Sequence, residues 1–297
     1  MYDIIIVGAG PAGMTAALYA LRSNKKILII EARSYGGQIV NAHKIENYPG
    51  IPMISGFEYA TTLYNQITNL GAEIKYETVI RIDENKNVIT SKNTYQAKAI
   101  ILATGAENKK LGIENESKFI GRGVSYCATC DGNFYRNKNV AVVGGGNTAL
   151  EDALYLADLA SKVYLIHRRD DFRGEERLVD ELKQHENVEF ILNATVERLN
   201  GSDKLESIDV KANDESIKNI SLNGLFVAVG QSPKNEIFAN LIQLDEKGYI
   251  IAVDDVHTNV SGIYVAGDAR EKTLRQLTTA VGDGANAAIT AIREMNM

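Results

Sequence analysis

Two cysteines, Cys127 and Cys130, are the only ones in a chain of 297 residues, and two residues separate them. That spacing closes a small disulfide ring that can open and shut with little backbone motion. Such motifs also lower the pKa of one thiol, favouring the thiolate that attacks other disulfides. Asp131 follows directly and is a candidate to exchange protons with the thiols as the dithiol forms; with Gly132 it also begins a turn. Zinc is the competing chemistry. A closed zinc site needs about four ligands, yet there is no second Cys-x-x-Cys, and His43, His167, His185 and His257 stand at no metal-ligand spacing from the pair. Two cysteines cannot staple a chain of this length, so the pair reads as redox-active, without a metal, in a reducing compartment.

Something must bring electrons to that pair, and two stretches of the chain are built to hold a dinucleotide. Ile4–Val7 is an apolar run of the kind buried on both faces of a sheet. After it come Gly8-Ala9-Gly10-Pro11-Ala12-Gly13, a helix-forming stretch from Met14 to Leu21, and a second strand, Lys26–Ile30, ending at Glu31. In such a βαβ unit Gly8 permits the tight turn, Gly10 lets a pyrophosphate approach the backbone and Gly13 allows close helix–strand packing. The helix N-terminus supplies N–H donors and partial positive charge, and Glu31 suits the ribose hydroxyls. The pattern recurs with strand Asn139–Val143, turn Gly144-Gly145-Gly146-Asn147-Thr148-Ala149, helix Leu150–Leu159 and strand Lys162–Ile166. Twenty-three positions separate Gly8 from Glu31 and Gly144 from His167 alike. Where the first unit ends in a carboxylate, the second has His167, Arg168 and Arg169, with Arg173 a few residues on. A carboxylate repels a 2′-phosphate and arginines pair with it, so the second unit is expected to take NADP(H) rather than NAD(H).

The strands Ile100–Gly105 and Leu225–Gly230 echo one another and would close the two units; a third, Ile263–Asp268, has no place in the second and is assigned back to the first. The fold class that follows is α/β, with two Rossmann-like dinucleotide-binding domains, the second inserted in the first. Residues 1–112 and 242–297 are expected to form the first, discontinuous dinucleotide-binding domain. Residues 113–241 are expected to form the NADPH-binding domain that carries the cysteine pair. The joints fall in polar stretches suited to hinges. A net charge of −6 argues against a nucleic-acid partner. From Ile4 to Leu21 no residue is charged, but glycines and Pro11 break the segment and no basic n-region precedes it. No membrane span is expected, and the location expected is cytoplasmic.

Taken in order, these motifs resemble the low-molecular-weight, bacterial type of thioredoxin reductase from residue 2 to about 292. The resemblance rests on Gly8–Gly13, Gly36-Gly37-Gln38, Glu46–Gly50 with Asn47, Ala103-Thr104-Gly105, Cys127–Gly132, Gly144–Ala149, His167-Arg168-Arg169 with Phe172-Arg173, and Gly267-Asp268 with Arg275-Gln276. It implies a homodimer with one FAD per subunit, reduced by NADPH, and thioredoxin or a thioredoxin-like protein as transient partner. By carry-over, Cys130 faces the flavin and takes its electrons, Cys127 attacks the partner's disulfide, and Asp131 is the acid/base. Asp268 would hold the ribityl chain, the backbone around Arg275, Gln276 and Leu277 would face the flavin ring, and Val79 joins the FAD contacts. A rotation of one domain against the other is also implied. Asn133 stands before Phe134 where relatives often carry two aromatics, which bears on the choice of partner.

Three other flavoenzyme readings come close, and one of them, a ferredoxin–NADP reductase of similar shape, would lack Cys127 and Cys130. The flavin component of a peroxide-reducing system is expected to carry a thioredoxin-like extension before its FAD strand, whereas here that strand opens the sequence. A ferredoxin-linked thioredoxin reductase is expected to lose the nucleotide residues that Gly144, Gly146, Ala149 and the arginines represent. A flavoprotein that senses redox state without turnover would not need an acid matched to the pair.

Overall fold

The computed structural model describes residues 1–42 and 44–296; His43 and Met297 lie outside the described residues. The chain divides into two compact units, residues 1–107 with 232–297, and residues 108–231.

The first unit begins with β1 (Tyr2–Val7), α1 (Pro11–Arg22) and β2 (Ile27–Glu31), followed by α2 (Gly56–Asn69), β3 (Glu73–Tyr76), β4 (Val79–Ile82), β5 (Asn87–Thr90) and β6 (Thr94–Leu102). β3, β2, β1 and β6 are parallel neighbours in that order, and β4–β5 joins antiparallel along the N-terminal half of β6. The uncharged run of β1 is explained by what covers it. Ile4 and Ile6 belong to the core on one face of the sheet, Ile5 and Val7 to the core on the other, as the two-residue period of a strand requires. Each such side chain removed from water contributes about 1.5–3 kcal/mol.

At β7 (Ala106–Asn108) the chain leaves the first unit. The second contains α3 (Glu116–Phe119), β8 (Val124–Ser125), α4 (Ala128–Asp131), β9 (Asn139–Val143), α5 (Asn147–Ala157), β10 (Lys162–Ile166), α6 (Glu176–Leu182), β11 (Val188–Ile191), the antiparallel β12 (Ala194–Asn200), β13 (Ser207–Ala212) and β14 (Ile217–Ser221), and β15 (Gly224–Val227). Its parallel sheet runs β11-β10-β9-β15-β8. Alternation again divides β9, with Ala141 and Val143 in one core and Val140 and Val142 in the other.

The return passage, β16 (Gln231–Pro233), pairs with β7, and β17 (Ile263–Val265) then lies parallel to β6 before α7 (Leu277–Glu294) ends the described chain. Residues 232–241 fall in the first unit, so the expected joint at 241/242 came ten residues late. Phe238 enters the first unit's core beside Ile242, and buried Asn235 bonds to the Gly248 and Ala269 carbonyls at 3.0 Å each, contacts that a polar-looking stretch conceals. At the other joint, residues 108–112 belong to the second unit: Leu111 packs on its core, and Lys109 N–H donates to Gly230 O at 3.0 Å.

α7 is opened by a capping box between Gln276 and Thr279. Its buried stripe is small throughout, Ala280, Gly284, Ala287, Ala288 and Ala291. It can therefore approach α1 until a Cβ at Gly284 would collide with the Ala12 carbonyl. No helix among the described residues is long and apolar enough to cross a membrane.

The far end of α7 is held by a histidine. His257 Nδ1 lies 2.6 Å from Asp254 Oδ1 and Nε2 2.6 Å from Glu294 Oε1, while Tyr264 donates to Glu294 Oε2 at 2.6 Å. Only the imidazolium can donate from both ring nitrogens. Its pKa is accordingly raised above the ordinary 6.5, first by Glu294 and then by Asp254. A raised value in the folded state gives stability that is whole below the unfolded pKa and is lost as pH climbs through the folded one. Wild type should therefore lose more thermal stability than His257→Gln between pH 6.5 and pH 9; equal losses in a melting series would remove the clamp.

Candidate redox and nucleotide sites

In the first unit the expected dinucleotide residues gather at the N-terminus of α1. Gly8 turns the chain out of β1 at φ +108°, and a Cβ there would collide with the carbonyl oxygen of Ala103, just past β6. A Cβ on Gly10, the N-cap, would meet only open space, which is room for a phosphate against the backbone. No side chain caps this helix. Pro11 has no N–H to satisfy, and the Ala12 and Gly13 amides have no acceptor within the helix. A Cβ on Gly13 would strike the Gly8 carbonyl. Glu31 sits at the lip, accepting from Ala9 N–H at 2.8 Å and Arg33 N–H at 2.9 Å.

Neighbouring loops close around this turn. Gly36 N–H donates to Ala9 O at 2.8 Å, setting Gly37 against Gly10 with Gln38 in the 3₁₀ turn that follows. Asn47 Nδ2 donates to Gln276 Oε1 at 3.1 Å, joining its loop to the start of α7, where Arg275 and Leu277 also lie. Buried Val79 opens β4 two residues after Glu77, whose N–H donates to Glu31 O at 2.9 Å. Past β6, Thr104 donates to Asn235 Oδ1 at 2.8 Å, and Gly105 follows at φ +70°. Gly267, at φ +73°, has no room for a Cβ against Ala12.

Asp268 carries the unit's clearest unmet demand. Its Oδ1 is buried and has no hydrogen-bond partner among the described residues, although Lys272 Nζ lies at an ion-pair distance of 3.3 Å. Burial pushes its pKa up, against the pull of Lys272 and Arg275. Arg275 stacks over Tyr249 with its guanidinium 4.0 Å from the ring centre, and its Nε is buried and unpaired among the described residues. A buried Arg275 Nε without a partner among the described residues, and a buried carboxylate oxygen met only by one ammonium, fit a polar ligand beside an open backbone turn. Sequence reasoning did not find the supports. Asp283 accepts from Gly267 N–H (3.1 Å), Arg270 Nε (3.0 Å) and Lys272 Nζ (3.1 Å), while Asn235 spans Thr104, Gly248 and Ala269. Their partners lie in distant segments, so no local spacing announces them.

The second unit repeats the turn with different chemistry at its lip. A Cβ on Gly144 would collide with the Ala228 carbonyl beyond β15, and one on Gly146 would meet open space. Asn147, Thr148 and Ala149 form the first turn of α5. His167 lies over Gly145, where any Cβ would strike its ring, and stacks on Phe172. Its pKa is lowered, mainly by burial and further by Arg173, Arg168 and Arg169, so it is neutral at pH 7. Its Nε2 is buried without a partner among the described residues. The loop after β10 folds back, with Arg173 N–H donating to Gly145 O at 2.7 Å and Glu175 N–H to Asn147 Oδ1 at 2.8 Å. This sets Arg173 beside the turn, with Arg168 and Arg169 exposed at the strand end.

Cys127 and Cys130 form a disulfide at the start of α4, with Cα atoms 5.3 Å apart. The loop packs on the later part of α5, where a Cβ on Gly132 would press into Tyr155. Tyr155 is eight positions past Asn147, about 12 Å along the helix. The unit therefore brings Cys127, Cys130 and Asp131 together but not onto its own nucleotide turn. Ser125, which spacing did not single out, donates to Asp131 Oδ2 at 2.6 Å and accepts from Cys127 N–H at 3.1 Å. Tyr135 is pushed up to about 12 by burial and by the charge of Asp131, so its phenol stays protonated.

Comparison with known proteins gives a consistent picture. Residues 2–284 match the pyridine nucleotide-disulphide oxidoreductase family. A thioredoxin reductase of Listeria innocua serovar 6a is 45% identical over 298 residues, covering 98% of this chain and 93% of that protein. One of Mycoplasma genitalium is 42% identical over 295 residues, covering 97% and 94%. The crystal structure of thioredoxin reductase from Streptococcus pyogenes MGAS5005 superposes with a TM-score of 0.95 at 41% identity, covering 100% of this chain and 98% of that one.

Asn235 is fully buried and joins three segments around the Asp268 turn. Asn235→Ala should cost about 2–4 kcal/mol through the groups it strands. A denaturant midpoint equal to wild type would contradict that accounting.

Proposed function

This chain belongs to the thioredoxin reductase family of the pyridine nucleotide-disulphide oxidoreductases, which work with flavin and nicotinamide cofactors, and on that premise we propose that it is an NADPH-dependent thioredoxin-disulfide reductase carrying FAD. The observation that carries the reading is the Cys127–Cys130 disulfide, with Asp131 beside it, in a unit whose second strand of the βαβ pattern, β10, runs out into arginines. A flavin component of a peroxide-reducing system and a ferredoxin-linked reductase are both less favoured. The relatives above are thioredoxin reductases, and Gly144, Gly146, Ala149 and the basic strand end are intact.

In this reading the α1 turn, Glu31, Asp268 and the Arg275–Leu277 segment hold FAD, and the α5 turn with His167, Arg168, Arg169 and Arg173 holds NADPH. Neutral His167 leaves the 2′-phosphate to the arginines, which bind it by charge-assisted hydrogen bonds. Bound FAD would supply a two-electron relay from nicotinamide to disulfide. Opening the Cys127–Cys130 bond takes up two electrons and two protons, with Cys130 receiving the electrons and Asp131 handling a proton. Cys127, as thiolate, then attacks the disulfide of thioredoxin, and the partner sulfur that leaves takes a proton. Attack of the Cys130 thiolate on Cys127 Sγ closes the ring again and releases the second partner thiol.

Anaerobic mixing of the flavin-loaded protein with NADPH tests this directly. The flavin band should bleach faster than with NADH and recover on addition of oxidised thioredoxin. Absence of bleaching by either nucleotide would overturn the reading. Arg168→Ala with Arg169→Ala should weaken NADPH by about 1.5–3 kcal/mol per bond lost and leave NADH nearly untouched; equal losses would sink the 2′-phosphate assignment. For the cysteines, Cys130→Ser should trap thioredoxin as a mixed disulfide on Cys127, seen on a non-reducing gel, whereas Cys127→Ser should not. The reverse pattern would exchange their roles.

A further inference from the structure

Ser125 closes β8 with only 5% of its surface exposed, two positions before Cys127. A buried hydroxyl is costly unless bonded, and its bonds here run to the residues of the redox chemistry. Its Oγ lies 2.6 Å from Asp131 Oδ2, 3.1 Å from Cys127 N and 3.3 Å from Cys127 O. One hydroxyl has one proton to give. The carboxylate is nearer and the stronger acceptor, so the proton goes there and the carbonyl contact is secondary. The outcome is a directed chain from Cys127 N–H to Ser125 Oγ–H to Asp131. Asp131 N–H in turn donates to Cys127 O at 3.1 Å, so the two residues are tied at both backbone and side chain.

We propose that Ser125 is a positioning residue for thiol–disulfide exchange, holding the Asp131 carboxylate in register with Cys127 while the disulfide opens and closes. This rests on the acid/base role given to Asp131 above. The reason lies in what reduction removes. In the disulfide state a covalent bond ties Cys127 to Cys130, the neighbour of Asp131. Two electrons and two protons convert that bond to two thiols, the electrons coming from the NADPH-reduced flavin of the proposed reaction. The cross-link is then gone, while the Ser125 bonds do not depend on the redox state of either sulfur. They keep Asp131 beside the segment that bears the attacking thiol. Tyr135, a further hydroxyl that feels the charge of Asp131, is buried and remains protonated, so it does not take over the proton-transfer role.

The test is a double-mutant cycle on the flavin-loaded enzyme with NADPH and thioredoxin. Val and Thr are nearly equal in shape and differ in the hydroxyl, so Ser125→Val and Ser125→Thr separate packing from hydrogen bonding. Ser125→Val should lower kcat about ten-fold, with KM for thioredoxin and the rate of flavin bleaching by NADPH little changed. Ser125→Thr should recover most of that loss. In the Asp131→Asn background, Ser125→Val should cost less than about two-fold, because the group it serves is already gone. If it costs as much there as in wild type, or if Thr fails as Val does, Ser125 acts by packing and the proposal is overturned. Full activity of Asp131→Asn itself would instead locate the failure in the acid/base role, and normal bleaching in every variant would show cofactor binding and hydride delivery to be intact.

Discussion

Both units depend on one close approach, of the glycine that ends the strand before the turn helix (β1 or β9) to a carbonyl just past the neighbouring parallel strand (β6 or β15). Gly8 lies against Ala103 O and Gly144 against Ala228 O, each without room for a Cβ. This contact lets the helix start directly above the edge of the sheet, so that its free amides open onto solvent at the carboxyl ends of the strands. The second glycine, Gly10 or Gly146, then faces open space. Other features of the candidate nucleotide sites gather near that opening. Small-residue packing of α7 on α1 brings the Asp268 segment to it in the first unit, and the folded-back loop after β10 brings Arg173 to it in the second.

On equal frames, the chemistry differs at one strand-end position. Glu31 accepts from the turn itself, through Ala9 N–H. His167, its counterpart, makes no such bond among the described residues and lies instead over Gly145, held neutral by burial and by the arginines that flank it. The first lip is negative and committed to its own backbone; the second is flanked by positive charge. In the proposed reading, a duplicated architecture thereby takes two different dinucleotides through a change that leaves the sheet and helix in place.

The redox loop follows another logic, with its acid secured by backbone and hydroxyl contacts within seven residues. It packs on the later half of α5, away from the glycine turn at that helix's start. One helix therefore presents a nucleotide turn at its start and supports the cysteine pair further along, and the two do not compete for the same space.

Local order along the chain carried a great deal. Apolar runs, glycine spacing and the alignment of Glu31 with His167 were enough for two dinucleotide folds, one inserted in the other, because strand period and turn sterics act over a few residues. The cysteine pair with Asp131 was equally legible, since the ring needs only sequence neighbours. Tertiary structure alone decided the rest. The return joint moved to residue 232 because Phe238 and Asn235 found partners in the first unit. Asp283 emerged as the anchor of the Asp268 turn and Ser125 as the partner of Asp131. Isolated polar residues have no period to read. Their meaning lies in which buried group they satisfy, and that is set only when distant segments pack together and leave an N–H, a carbonyl or a carboxylate with no water to turn to.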